Sequence, residues 1–363
     1  TATLPGDIDD KKYSARACAV VALSRYHLGL PYYRLEQFQT LVGVPVADAT
    51  QWELAERVAD SAYPVFEHLQ YQAAQRDLIF QDDTSVRILS LLRENRQLKQ
   101  QSGSEKARVG MYTTGLVAQG GGPTVVLYLS GRDHAGENLA NVLARREPGL
   151  AKPMVMSDAL SVNELKDDTT VRRLHCLAHG VRQFIELEAV FPSQCQRVLD
   201  DLSLVYEHDA LTTDQSLNAH QRLHFHRQHS APVLKRLKGW LQQQIDARQV
   251  EPNSSLATAF GYLLNRWESL TRFLSIPNAP LDNNTVERAL KLVIRQRKAS
   301  LFYASTHSAY VASVLTSLMA TCVEAGVNAL EYLVALQQHH SAVFSAPSRW
   351  LPWNYTQQLP QAT

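Results

Sequence analysis

The spacing of apolar residues changes twice along this chain, and the change limits the folds that it can adopt. Residues 1–76 have helical spacing, with a run rich in Ala, Val and Leu from Ser14 to Tyr26. From Asp77 the spacing becomes that of a strand, and one parity carries Leu78, Phe80, Asp82, Thr84, Val86 and Ile88. From Pro192 to Ile276 the spacing is helical again. The pattern predicts an α/β protein that contains a long all-helical block.

Four more short segments have strand character: Val109–Ala118, Thr124–Leu129, Met154–Met156 and Val171–His175. The first two are joined by Gly-Gly-Gly-Pro, which predicts a hairpin. Helices are predicted at Ala135–Arg145 and Leu177–Ala189, and the polar stretch Arg93–Lys106 is predicted to be a mobile connection. This order of strands and helices is typical of a mixed sheet of the ribonuclease-H type.

The predicted elements divide the chain into five segments. They are a helical N-terminal segment (1–76), the first part of a ribonuclease-H-like core (77–191), a helical insertion (192–276), the final core helices (277–342) and a C-terminal tail (343–363). In the first segment, a helix at Tyr33–Leu41, a Gly-containing turn and a second helix from Asp48 match a helix-turn-helix DNA reader, but an ordinary packed pair is favoured. The tail contains Trp350–Asn354, which is predicted to lie extended on the surface.

Composition excludes little by itself. The formal net charge is +1, from 36 Lys plus Arg and 35 Asp plus Glu, so any DNA binding has to come from local basic patches. The four cysteines are far apart, which favours a reducing, intracellular setting over a disulfide framework. No apolar run reaches ~18 residues, so no membrane span is expected. The chain begins with Thr1 rather than Met, as a processed or truncated product would.

Three carboxylates stand out by position. Asp82 lies mid-strand on the apolar parity whereas Asp83 points to the other face, Asp158 follows an apolar strand, and Glu287 lies in the first turn of a predicted helix that runs from Thr285 to Lys298. Three carboxylates brought together repel one another, and a divalent cation removes that cost. Hard oxygen ligands suit Mg²⁺ or Mn²⁺, and two such ions ~3.5–4 Å apart can support in-line phosphoryl transfer.

Each acid also has an ordinary structural interpretation, which is favoured when the acid is taken singly. Asn284 and Glu287 have the spacing of a capping box. Asp158 can cap the turn that follows it, and Asp82 can pair with an arginine. Spacing alone therefore does not identify a catalytic triad.

Several segments resemble insertion-sequence-66 family transposases. Pro280–Lys291 reads P-L-D-N-N-T-V-E-R-A-L-K and is followed by Arg297-Lys298 and Leu301-Phe302, which closely matches the family pattern P-L-D-N-N-x-x-E-R-A-L. Three shorter segments are similar to other family motifs: Gln81–Thr84 (usually D-E-T, here with Asp83 for Glu), Met156–Ala159 and Cys176–His179 (usually C-W-A-H, here with Leu177 for Trp). Leu30–Gln37 and Trp350–Asn354 extend the resemblance over nearly the whole chain.

The resemblance implies a ribonuclease-H-like catalytic core of the Asp-Asp-Glu type, with Asp82, Asp158 and Glu287 as catalytic residues and as ligands of Mg²⁺ or Mn²⁺, two ions being expected. It implies a transposase that cuts the ends of a mobile element and joins their 3′-hydroxyls to target DNA, working as a dimer or larger multimer in a prokaryotic cytoplasm. The DNA-binding and zinc-finger-like segments that members carry ahead of this region are absent from this sequence. The alternatives are a metal-dependent nuclease or resolvase on the same fold and a truncated, non-catalytic DNA-binding copy.

Basic and histidine clusters supply further candidates. Five cations within eleven residues, Arg288, Lys291, Arg295, Arg297 and Lys298, are interpreted as DNA contacts, and Glu287, Lys291, Arg295 and Lys298 share one helical stripe. Cys176 and His179 could join His220 and His224 at a zinc ion, but structural zinc is not expected; His179 is instead predicted near the catalytic pocket and in contact with DNA. Trp240 could stack on an unpaired base, although core packing is favoured.

Overall fold

The computed structural model describes residues 12–102 and 109–359. Within them the chain folds as two compact units, the first from the ranges 1–151, 162–166 and 285–363, the second from 152–161 and 167–284. The first unit contains three antiparallel strands and the second contains two parallel strands, and helices make up most of the rest of the described residues, which confirms the predicted mixed α/β class. No helix in the described ranges is both long and apolar enough to cross a membrane.

The strands of the first unit are antiparallel. They are β1 (Leu78–Ser85), β2 (Tyr112–Gln119) and β3 (Val125–Gly131), in the order β3-β2-β1. The predicted hairpin joins β2 to β3, and its turn places Gly120 and Gly121 at positive φ, where a side chain would be strained. The register pairs Phe80 with Val117 and Asp82 with Gly115, so these residues share one face of the sheet.

Helices surround this antiparallel part. The first unit contains α1 (Ala15–Tyr26), α2 (Tyr32–Leu41), α3 (Asp48–Ala74), α4 (Leu89–Ser102), α5 (Ala135–Leu143), α11 (from Thr285 onward, in a helix that spans Asn284–Ser300), α12 (Thr306–Glu324), α13 (Ala329–Gln338) and α14 (His340–Ser345). The hydroxyls of Ser313, Ser317 and Thr321 on α12 accept hydrogen bonds from β3 backbone N–H groups at 2.8–3.2 Å. They satisfy strand donors that no neighbouring strand takes up. Twelve residues of α3 are buried, including Leu54, Val58 and Phe66, whereas α2 buries only Leu35.

The second unit contains the remaining strands and the predicted helical block. Strands β4 (Met154–Ser157) and β5 (Arg172–His175) are parallel. Its helices are α6 (Leu177–Leu187), α7 (Pro192–Asp214), α8 (Ala219–Asp246), α9 (Ser255–Asn265) and α10 (Trp267–Leu270). The described structure from Pro192 to Ile276 has helices and turns only, as predicted.

A polar network joins α7 and α8 in this unit. Asp209 of α7 accepts hydrogen bonds from Arg222 at 2.6 Å and lies 3.1 Å from Nε2 of His226, which is fully buried. Arg222 also donates to the backbone oxygen of Ala279 at 2.8 Å. The network therefore connects the helical block to the segment that leads into the Pro280–Lys291 motif.

Two sequence predictions were wrong. The stretch predicted as a mobile connection forms α4 as far as Ser102, with residues 103–106 outside the described part of the chain. At the start of α4 the N–H of Leu89 donates to the backbone oxygen of Tyr303, and the side chain of Leu91 is buried. These tertiary contacts hold a helix whose polar residues are good helix formers. The tail is not extended on the surface: Trp350 and Leu351 are each 3% exposed, and Tyr332 donates to the oxygen of Trp350.

Candidate active site

Asp82 and Asp83 project to opposite faces of β1. The carboxylate of Asp83 accepts hydrogen bonds from the Thr114 hydroxyl at 2.6 Å and the Ala135 N–H at 2.9 Å, and lies 3.1 Å from Nδ1 of His134. Asp83 therefore ties the start of α5 to the sheet. Asp82 faces the other way, as its strand parity predicted, and one of its oxygens accepts from the N–H of Asp83 at 2.8 Å.

Helix α11 lies over the face that carries Asp82. A Cβ added to Gly115, the cross-strand partner of Asp82, would lie only 2.9 Å from Leu290 and 3.2 Å from Val286. Both belong to α11, and Val286 immediately precedes Glu287. The missing side chain of Gly115 thus lets the first turns of α11 lie against the strand pair where Asp82 projects. The structure therefore places the first turns of α11, the helix that carries Glu287, against the strand pair that carries Asp82.

The far end of α11 is fastened to the end of β1. The guanidinium of Arg297 donates to the hydroxyls of Thr84 and Ser85, each at 2.9 Å, and also to the backbone oxygen of Ser85. Arg295 donates to the backbone oxygen of His27 at 2.7 Å. Arg295 and Arg297, two of the five cations interpreted as DNA contacts, therefore also hold the helix in place. The other three, Arg288, Lys291 and Lys298, are exposed.

Asp158, the remaining predicted acid, lies in the second unit directly after β4 and is 7% exposed. It borders an open cavity of about 370 Å³. One wall is a face of α6 formed by His179, Arg182, Gln183 and Glu186, which are spaced by three, one and three residues. Leu160 and Tyr262 also line it. His179 was predicted to lie near the catalytic pocket, and it shares this cavity with Asp158.

Tyr262 reaches the cavity because Gly180 leaves space for it. A Cβ on Gly180 would lie 2.8 Å from Leu263 and 3.4 Å from the Tyr262 ring, so α6 and α9 pack closely there. The guanidinium of Arg266 lies 4.8 Å from the centre of the Tyr262 ring. Burial, and then the nearby Cys176 and Asp158, raise the pKa of Tyr262 to about 12 despite the opposing charge of Arg266. The phenol therefore keeps its proton at neutral pH.

Two of the sequence motifs meet within the second unit. The N–H of Asn283 donates to Sγ of Cys176 at 3.2 Å, and the N–H of Leu177 donates to the oxygen of Leu281 at 2.9 Å. Burial raises the pKa of Cys176 to about 11, although several backbone N–H groups favour its thiolate. Cys176 is fully buried and fixes the Leu281–Asn283 segment against the start of α6. Asn284 then begins α11 and donates its side-chain amide to Asp282 at 2.8 Å.

The histidines of α8 do not assemble with Cys176 and His179. His220 and His224 are exposed, and no grouping of possible ligand atoms within the described residues includes them. His226, the buried member of the cluster, contacts Asp209 and Ser230 instead. Trp240 packs against the buried ring of Phe260, with ring centres 5.7 Å apart, in keeping with the favoured interpretation.

Sequence reasoning missed four polar residues that border the Asp158 cavity: Arg182, Gln183, Glu186 and Tyr262. The first three were detectable, because with His179 they make a polar stripe opposite the buried Leu177, Gly180 and Phe184. Tyr262 gave no comparable signal, since it lies in the helical block and its position depends on how α6 and α9 pack.

Comparison with known proteins agrees with the motifs. The sequence profile of the family described as "Transposase IS66 family" matches residues 11–310. Two uncharacterized proteins of Sinorhizobium fredii (strain NBRC 101917 / NGR234) are similar over most of the chain: y4jD is 25% identical over 348 residues, 93% of this chain and 65% of y4jD, and y4qI is 24% identical over 351 residues, 94% of this chain and 62% of y4qI. The chain thus spans less than two thirds of the length of these relatives. Because the family profile covers most of its residues, the chain belongs to the IS66 family of transposases.

Proposed function

We propose that this chain cuts DNA at the ends of a mobile element and joins the exposed 3′-hydroxyls to target DNA. In the first step water attacks the phosphorus at the element end, and the 3′-oxygen leaves as a hydroxyl. In the second step that hydroxyl attacks a target phosphodiester and displaces the target's own 3′-oxygen. Asp82, Asp158 and Glu287 are the proposed catalytic residues, on a core of the ribonuclease-H type.

The packing of α11 is the observation that carries this proposal. Within the IS66 motif, Glu287 is preceded by Val286, which reaches Gly115, the partner of Asp82. The helix that carries Glu287 thus packs on the strand pair that carries Asp82, which supports a shared site for two acids about 200 residues apart in sequence. A capping role for Glu287 or an arginine partner for Asp82 gives no reason for that convergence.

The chemistry of the three side chains fits Mg²⁺ or Mn²⁺. Each would supply hard carboxylate oxygens, the ligand atoms that these ions prefer, and Asp158 would supply them from a position that is 7% exposed. When bound, the ions would lower the barrier to phosphoryl transfer by balancing the charge that develops on the attacking and leaving oxygens.

The rest of the chain contributes position and charge. Asp83 holds β1 to α5, and Arg297 holds α11 to β1, so the strand and helix that carry Asp82 and Glu287 are each fixed by contacts of their own. The exposed Arg288, Lys291 and Lys298 continue along α11 from Glu287 and are the proposed contacts to DNA phosphates. A dimer or larger multimer acting on paired element ends in the cytoplasm completes the proposal.

Neutral substitutions of the acids test it. In a strand-joining assay with Mg²⁺ and DNA carrying the element ends, Asp82→Asn and Glu287→Gln should each lower the rate ~100-fold or more. An ion contributes several kcal/mol to such a reaction, and about 1.4 kcal/mol corresponds to a factor of ten. Asp83→Asn is the matched control, since its side chain lies on the other face, and it should keep activity at temperatures where it remains folded. Undiminished joining by Asp82→Asn or Glu287→Gln would overturn the assignment.

The same assay separates the alternatives. A nuclease or resolvase would release cut strands in Mg²⁺ without forming joined products. A non-catalytic DNA-binding copy would bind DNA in a salt-sensitive way, with no dependence on Mg²⁺ or on the three acids. The family to which the chain belongs favours the joining reaction.

A further inference from the structure

Helix α8 of the second unit is rich in basic side chains and almost free of acids. Between Asp214 and Asp246 the sequence has no Asp or Glu, although 35 acids among 363 residues correspond to about three in a stretch of this length. The same stretch has five Lys or Arg and four His. The solvent face of a surface helix commonly mixes both signs, because opposite charges three or four residues apart stabilise it. The exposed side of α8 is therefore an unusually positive surface.

The basic residues on that side lie in one row along the helix. They follow one another at steps of four, three, eight and three residues, which keeps them within one face. Five exposed residues form this basic row of α8: His220, His224, Arg227, Lys235 and Lys238. The opposite face is buried and includes Leu223, Leu237 and Leu241. Eighteen residues separate the two ends of the row, so at a rise of 1.5 Å per residue it is about 27 Å long.

The cations of the row have no acidic partner among the described residues. Arg227 donates Nε to the backbone oxygen of Leu274 at 2.9 Å, which holds the side chain and leaves its two terminal nitrogens for a ligand. Nζ of Lys238 lies 5.6 Å from the centre of the Trp267 ring. Arg222, by contrast, lies off the row and is paired with Asp209 at 2.6 Å. The charge of Arg222 is thus used inside the unit, whereas the charges of the row face solvent.

The composition of the row favours a polyanion over a protein partner. Protein interfaces depend on buried aromatic or apolar anchors. The row has none, and among the described residues of α8 only Ile245, beyond its end, is a large exposed apolar residue. Duplex DNA presents one negative charge per ~1.7 Å of its axis, so a row of about 27 Å can meet several phosphates at once.

We propose that the basic row of α8 binds the backbone of duplex DNA without reading its sequence. Lys235 and Lys238 contact phosphates as point charges, and the terminal nitrogens of Arg227 supply a third contact. The row is a second DNA surface, on a different unit from the cations of α11. The identity of the polyanion as DNA rests on the proposed function, but binding at the row needs no reaction and can be measured by itself.

Two adjacent residues provide a matched test. Lys235→Gln removes one charge from the row, and Arg236→Gln removes one from the next position, which is exposed but points about 100° away around the helix. Glutamine is a good helix former, so both variants should fold. Fluorescence anisotropy measures binding of the full chain to a labelled duplex in EDTA, at several salt concentrations.

We expect Lys235→Gln to lower the affinity roughly five- to tenfold at 0.1 M salt and to reduce the slope of log K against log salt concentration by ~0.9, the value of one phosphate contact. The double variant Lys235→Gln/Lys238→Gln should reduce that slope by roughly 2. Arg236→Gln should bind as the wild type does. Two duplexes of unrelated sequence should show the same losses, since phosphate contacts carry no sequence information.

Three results would overturn the inference. They are wild-type affinity and salt slope in Lys235→Gln, equal losses in Lys235→Gln and Arg236→Gln, and competition by poly-glutamate as effective as that by unlabelled DNA of equal charge. The last would assign the row to an acidic protein. Failure of the proposed function looks different: a chain with Lys235-dependent DNA binding that forms no joined product in Mg²⁺ would keep the α8 surface and lose the transposition chemistry.

Discussion

At the scale of single residues, the adjacent acids Asp82 and Asp83 of β1 have different surroundings. Asp83 has three polar neighbours, from β2 and from the start of α5, so its charge is used inside the fold. Asp82 projects to the face covered by α11. Asp83 therefore has a structural role, whereas Asp82, the same residue type one position earlier, is a candidate catalytic residue.

This difference predicts that the Asp→Asn substitution has different effects at positions 82 and 83. Asp83→Asn should lower the free energy of unfolding by roughly 1–3 kcal/mol, the cost of weakening buried hydrogen bonds to a carboxylate. Asp82→Asn should act on the reaction and lower the joining rate ~100-fold or more. Urea denaturation followed by circular dichroism measures stability, and a loss of joining by folded Asp83→Asn as large as that of Asp82→Asn would contradict the distinction between the two faces.

Some of this was readable from the sequence and some was not. Strand alternation predicted which of the two acids faces away from α5, because period-two geometry is a local property. The hydrogen bonds of Asp83 to Thr114 and Ala135 were not readable, since they join residues 31 and 52 positions away. Tyr262 was missed for the same reason.

At the scale of elements, the contact between α11 and the β1–β2 pair is the central one. It depends on a residue without a side chain at position 115, since even one added carbon would come within 3 Å of Leu290. Strands generally disfavour glycine, and here it permits close approach of a helix.

Gly115→Val should therefore displace α11 from the sheet. We expect it to lower the free energy of unfolding by roughly 1–3 kcal/mol, as overpacking of a core does, and to slow joining further, because Glu287 moves with the helix. Gly131→Val is the matched control, since that strand glycine has open space around its added Cβ. Thermal unfolding and joining rates check both variants, and similar behaviour of the two would show that the contact at position 115 is not what positions α11.

The elements that sequence reasoning placed wrongly share a cause. The stretch that forms α4 is polar, and the tail is rich in Pro and Trp, so neither has a clear helical period. Their structure comes from partners elsewhere in the chain: Tyr303 for the start of α4 and Tyr332 for Trp350. The strongly periodic elements, such as α5 and the β2–β3 hairpin, were predicted with ends within a few residues of those observed.

At the scale of the whole molecule, the second unit has its own source of sensitivity to acid. Burial would raise the pKa of Asp209, but its hydrogen bonds and charge interactions with His226 and Arg222 outweigh burial and lower that pKa. A carboxyl whose pKa is lower in the folded state stabilises the fold fully above its unfolded value, ~3.9. That contribution disappears as the pH falls through the folded value.

Asp209→Asn should therefore destabilise the chain at pH 7 and reduce the part of its stability that is lost below about pH 4. The measurement is urea unfolding of the full chain at neutral and acidic pH. Asp214→Asn, at the exposed end of α7, is the control and should follow the wild-type profile closely. A pH profile of Asp209→Asn that parallels the wild type would assign the acid sensitivity to other carboxylates.

The order of the segments has a consequence for biosynthesis. The ribosome completes β1, β2 and β3 by residue 131, but α12, whose hydroxyls bind the β3 backbone, is complete only at residue 324. At bacterial rates of translation the three strands wait roughly 10–40 s for that helix. Most of the second unit emerges in the interval as one continuous stretch, residues 167–284. A nascent chain of this protein thus carries the β3 backbone without its α12 partners over that interval, and we expect this strand edge to be accessible to chaperones until α12 arrives.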